Sequence, residues 1–74
     1  MPGYLVVYNR KSREWSVTEY PGRDGHRSAM LERLDRERQN QDPDIEIAAL
    51  SSDSLDTVKK THSRYFEGRE LVAH

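Results

Sequence analysis

Four adjacent residues and one more distant one supply the side-chain types of a nucleophilic hydrolase: Ser51, Ser52, Asp53, Ser54 and His62. A Ser-His-Asp triad is defined by mutual geometry and an oxyanion site rather than by composition. Serine and aspartate at the start of an apolar-periodic segment are also the preferred helix caps. Capping is the expected role here, and no catalytic residue is assigned.

Metal chemistry has equally little to work with. The histidines are His26, His62 and His74, and there is no cysteine. No two histidines stand four apart, so the thiol and imidazole sets of structural zinc sites cannot be assembled. Asp42, Asp44 and Glu46 offer oxygen ligands, but the turn glycine and terminal glutamate of an EF-hand loop are missing. Gly22-Arg23-Asp24-Gly25 precedes a helical pattern, as phosphate sites do, yet Asp24 stands where the anion would sit. No cofactor and no metal are expected, and the chain reads as non-enzymatic.

Two groups of residues point instead to interaction. Arg10, Lys11 and Arg13 cluster in a polar stretch near Tyr4, Tyr8, Trp15 and Tyr20. Cations interleaved with aromatics suit a nucleic-acid backbone and its bases. The second group is Lys59, Lys60, His62, Arg64, Tyr65 and Phe66. Tyr65 and Phe66 are adjacent, so both cannot face the centre of a core, and one is expected at a boundary or a binding surface. These nine residues, Arg10, Lys11, Arg13, Lys59, Lys60, His62, Arg64, Tyr65 and Phe66, are the candidate interaction set.

The elements that must position them follow from periodicity. Tyr4-Leu5-Val6-Val7-Tyr8 is β-branched and aromatic, and Trp15-Ser16-Val17-Thr18-Glu19-Tyr20 alternates, so two strands and a hairpin are expected. Two registers compete, and a one-residue slip exchanges the faces. Pairing Tyr8 with Trp15 and Val6 with Val17 is preferred, because a two-residue turn on Lys11-Ser12 closes it. Pro21-Gly22 ends the second strand, and Asp24 is placed to cap a helix from Gly25 to about Gln39. Met30, Leu31 and Leu34 form its narrow apolar stripe. A third strand covers Ile45 to Leu50. Leu55, Val58, His62 and Tyr65/Phe66 recur at helical spacing, with Gly68 as a stop.

The expected fold is therefore a small α+β domain, β-β-α-β-α, over residues 1–68, with 69–74 as a C-terminal tail. Its three-stranded, mainly antiparallel sheet has the order 2-1-3 with both helices on one face. The element order, the opening Tyr4-Leu5-Val6 strand and the basic hairpin loosely resemble the hybrid-binding domain at the N-terminus of some ribonucleases H. The resemblance is one of element order, and no residue role is carried over.

Composition sets the frame. The chain has 74 residues, 34 % apolar and 34 % charged, with a formal net charge of −1. A thin core under a charged surface follows. Residues 1–27 hold five Lys/Arg against three Asp/Glu, residues 28–56 three against eight, and residues 57–74 four against two. An acidic middle between basic ends gives no overall drive toward polyanions. No apolar run approaches a membrane span of roughly 20 residues, and no secretory leader is read. The absence of cysteine favours a reducing compartment, hence the cytoplasm. The expected partner is another protein, with a homodimer as one form of it; nucleic acid is the alternative, and no membrane is involved.

Overall fold

The computed structural model describes residues 1–71, and the elements run β1 (Gly3–Asn9), β2 (Glu14–Tyr20), α1 (Gly25–Gln39), β3 (Ile45–Ser51), α2 (Leu55–Thr61), a 3-10 helix (Ser63–Phe66) and β4 (Arg69–Glu70). The class is α+β, as expected. The sheet, however, has four strands in the order β3-β1-β2-β4. β1 lies between β2 and β3 and is antiparallel to both. The fourth strand, which the expected order lacked, is parallel to β2 at Glu14 and Trp15. Arg69 and Glu70 thus belong to the sheet rather than to a tail; the rest of the proposed tail, 72–74, lies outside the described residues.

Tyr8 faces Trp15 and Val6 faces Val17, the preferred register. The closing loop differs from the two-residue turn expected. β1 ends at Asn9 and β2 starts at Glu14, leaving four residues between them. The Asn9 side-chain oxygen accepts from the Lys11 and Ser12 amides, and its carbonyl accepts from the Arg13 amide at 2.7 Å. Arg13 takes φ +66°, the left-handed conformation that lets the chain re-enter the sheet.

The helices do not share a face. Tyr4, Val6 and Tyr8 of β1 point the same way as Trp15, Val17, Ala48 and Leu50, by the strand registers. Tyr65 and Phe66 pack on that side. α1 lies across the other side, over Leu5, Val7, Ile45 and Ile47. The reason is that β1 is apolar on both faces: Tyr4, Leu5, Val6 and Tyr8 are all buried. A central strand of this kind has to be covered twice.

α1 also corrects the expected packing. Its inward positions are Gly25 and Ala29, followed by the half-buried Glu32 and Arg33. The stripe of Met30, Leu31 and Leu34 points away from the sheet, with relative exposures of 38 %, 58 % and 53 %. Close approach at the helix start fixes this rotation. A β-carbon on Gly25 would stand 2.6 Å from the Gly3 nitrogen, so only glycine fits where α1 meets β1. The stems of Arg36 and Gln39 border the half-buried Val7, Ile45 and Ile47 that a leucine would otherwise cover.

This placement makes a direct prediction. Leu31→Glu and Leu34→Glu, each destructive at a core position, should move the unfolding free energy by no more than about 0.5 kcal/mol. Urea denaturation followed by circular dichroism reads it; a loss of several kcal/mol would put the stripe back in the core.

The second helical pattern breaks in two. Ser54, rather than Ser51, Ser52 or Asp53, caps α2, its hydroxyl accepting from the Thr57 amide at 3.2 Å. The helix stops at His62, and a 3-10 turn continues through Phe66. This break lets both aromatics reach the sheet.

Candidate functional site

The candidate interaction set divides by environment. Tyr65 is a core residue. It is buried, its ring meets Tyr8 edge-on at 5.8 Å, and its hydroxyl donates to the Glu46 carboxylate of β3. Arg64 donates to the same carboxylate oxygen at 2.7 Å and stacks over the Tyr65 ring at 4.6 Å. Phe66 is half-buried, edge-on to Trp15 at 4.7 Å. The cluster read as a binding surface is therefore the clamp that holds the 3-10 helix to the sheet. Of this adjacent pair Tyr65 is in the core and Phe66 stands at its boundary, as the adjacency implied, each meeting a different ring of the same sheet face.

The basic residues differ in their partners. The Arg10 guanidinium donates to the Pro43 carbonyl at 2.7 Å. Arg13 lies 3.5 Å from Glu67, and Arg69 lies 2.6 Å from Glu14. The Lys59 ammonium sits 5.7 Å from the Trp15 ring centroid. Lys11, Lys60 and His62 are exposed, with the His62 ring stacked at 6.3 Å from Tyr65. Of the aromatics that would stack on bases, Tyr4, Tyr8 and Trp15 are buried and Tyr20 is half-buried.

The residues weighed for catalysis serve the backbone. The Ser52 hydroxyl donates to Asp53 and to the Ser54 carbonyl, and Ser54 caps α2. His62 closes the same helix at its other end, its amide donating to Val58. Hydrogen bonds from Thr57 and Ser52 hold the Asp53 carboxyl below its ordinary range. Asp42 and Asn40 form a local turn in which the Asp44 amide donates to Asp42. Among the described residues no three His, Asp or Glu side chains gather as a metal site. No helix of the described residues is long and apolar enough to cross a membrane.

Two phenols carry the response to alkaline pH. Burial, then the hydrogen bond to Glu19, pushes Tyr4 above its ordinary value of 10.0. Burial and the bond to Glu46 push Tyr65 up as well, against the opposing pull of Arg64. A raised acid is neutral in the folded chain while the unfolded chain ionises, so its contribution is complete below the unfolded value and is lost as pH rises past it. The midpoint of thermal unfolding should therefore fall as pH climbs above about 10, with the tyrosinate absorbance of Tyr4 and Tyr65, isolated by comparison with Tyr→Phe variants at each position, appearing together with unfolding. Ionisation of Tyr4 and Tyr65 before any loss of structure would contradict this.

Among the described residues the exposed large apolar side chains are Met1, Leu71 and the stripe of Met30, Leu31 and Leu34 on the outer face of α1. A second open feature is β3, which lies at the end of the strand order and carries no proline in its seven residues. An unpaired strand edge of this length is a template for pairing. The signal that would have found the stripe is Gly25 and Ala29, four apart, which mark the close-packing side. Comparison with protein-family models, with curated proteins and with solved structures gives no match.

Proposed function

We propose that this chain is a non-enzymatic protein–protein interaction module, and that its binding surface is the outer face of α1. The observation that carries the reading is the outward turn of Met30, Leu31 and Leu34 in a chain only 34 % apolar. A small domain has few large apolar side chains for its core, and three of them stand on one solvent face. Contiguous apolar exposure of this kind marks partner surfaces. The open edge of β3 is a secondary contact of the same type. The lack of cysteine favours a reducing compartment, and we place the protein in the cytoplasm.

The runner-up is a nucleic-acid-binding accessory protein that uses Arg10, Lys11, Arg13, Lys59, Lys60 and Arg64. It ranks second because Tyr4 and Tyr8 are buried beside Trp15, and because Arg13 and Arg64 have carboxylate partners.

Affinity capture from the native host, with and without nuclease, compares the two. The protein-binding reading expects a nuclease-resistant partner that is retained by wild type and lost by the folded Leu31→Glu variant. Salt-sensitive, submicromolar binding to DNA or RNA, lost in an Arg10/Lys11/Arg13 triple alanine variant, would put the runner-up first.

A further inference from the structure

We infer that the occupant of the α1 stripe is a second copy of this chain, with the two α1 helices antiparallel about a twofold axis at Leu31. The inference rests on the reading of the stripe as a protein-binding surface. Asp24, Arg27, Leu31, Leu34 and Arg38 follow one another at spacings of three and four residues. At about 3.6 residues per turn such positions stay on one side of a helix. All five are exposed, so one seam runs along the outside of α1 with leucines at its middle and charges at its ends.

Charge selects how two such seams meet. About a twofold axis at Leu31, residues equidistant from it stand at the same level along the helix pair. Asp24 meets Arg38 of the second copy within the seam, and Arg27 reaches across to Asp35, which lies beside the seam. Symmetry repeats each contact, giving four opposite-charge contacts around a paired Leu31. A parallel arrangement would set every charge against its own copy. The neighbouring antiparallel register, with Leu31 against Leu34, would set Arg27 against Arg38. Like charges in register oppose association, so one arrangement is favoured.

The required side chains are available. Among the described residues, Arg27 takes part in no ion pair and the Asp24 side chain makes no cap hydrogen bond. Arg38 and Asp35 touch only loosely within the chain, at 3.7 Å, with side chains 78 % and 52 % exposed, and Asp35 also accepts from the Gln39 side chain at 3.2 Å. Met30 borders the seam and would shield the paired leucines from water. The contact is self-complementary and closes at two copies, so it does not propagate. A single pair of 15-residue helices buries less than the roughly 1,200 Å² of a stable interface, so the dimer is weak and concentration-dependent.

Sedimentation velocity over a wide concentration series tests the inference. The mass should rise from 8.7 kDa toward twice that value, and added salt should weaken the dimer. Leu31→Glu should remain monomeric throughout, with the melting temperature that the wild type shows at dilutions where it is monomeric. Arg27→Asp should weaken association about tenfold or more, since a tenfold change corresponds to only about 1.4 kcal/mol. Adding Asp35→Arg to that variant should restore the dimer, which a merely structural role for Arg27 would not do. A wild-type chain that stays monomeric, or a double variant as weak as the single one, would overturn the inference. If the wild type is monomeric but host capture is still lost in Leu31→Glu, the binding surface stands and only its occupant is different. If capture is also unaffected, both readings fall.

Discussion

Replacement of Trp15 by alanine should remove about 3–5 kcal/mol of stability. Trp15 is only 5 % exposed and lies opposite Tyr8 in the hairpin. Its ring meets Phe66 edge-on at 4.7 Å and carries the Lys59 ammonium on its face. Its indole nitrogen donates to the Gly68 carbonyl at 3.2 Å, and its own carbonyl accepts from Leu71 at 2.6 Å. The residue thus joins the core of one sheet face to β4 and the segment leading into it. Domains hold about 0.05–0.15 kcal/mol per residue, or roughly 4–11 kcal/mol for a chain of this length. The loss therefore matches the lower end of that range, and the variant should unfold at much lower denaturant than the wild type. Trp15→Phe should be milder, because it keeps an aromatic body and gives up a hydrogen bond worth about 1 kcal/mol. Denaturant midpoints from circular dichroism separate the cases; an alanine variant with the wild-type midpoint would refute this assignment of Trp15.

Gly25→Ala should also destabilise, and the sign is informative. At an open position inside a helix this change usually gains up to about 1 kcal/mol. Here the new methyl would run into the Tyr20 carbonyl, the Gly3 nitrogen at 2.6 Å and the Pro2 α-carbon at 3.0 Å. Two of these are backbone atoms of neighbouring strands, which cannot rotate away. The helix start must lift from the sheet, at a cost of about 1–3 kcal/mol or more. Because Gly25 and Ala29 also set the rotation of α1, the change should loosen the packing of Ala29 against the sheet. Faster amide exchange along the first two turns of α1 would report that loosening, and a variant at least as stable as wild type would disprove the close approach.

Much of the architecture was legible in the residues because it depends on local physics. β-branched runs, the alternation from Trp15 to Tyr20 and the break at Pro21-Gly22 located β1, β2, α1 and β3 to within about a residue, since strand and helix periods act over a few positions; Asp24 stands at the N-cap position as expected, but its side chain makes no capping hydrogen bond. The hairpin register was legible as well, because Tyr8, Trp15, Val6 and Val17 make one apolar face only when Tyr8 pairs with Trp15. The continuous run from Tyr4 to Tyr8 also held the information that β1 needs cover on both faces, which assigning both helices to one side overlooked.

Three features were decided only by tertiary contacts. β4 consists of Arg69 and Glu70, two charged residues with no strand signature, and it exists because Gly68 can lie against the Arg13 backbone while the Arg69 amide reaches the Arg13 carbonyl at 3.1 Å. The inward role of Tyr65 depends on the break at His62, which turns the 3-10 helix onto the sheet. The outward turn of Met30, Leu31 and Leu34 depends on how closely two glycines, Gly3 and Gly25, bring their backbones together. An apolar stripe states that a helix has a face to bury; it does not say against what. The contact at the helix start set the rotation of α1, and that rotation left the stripe available to a partner instead of to the chain's own core.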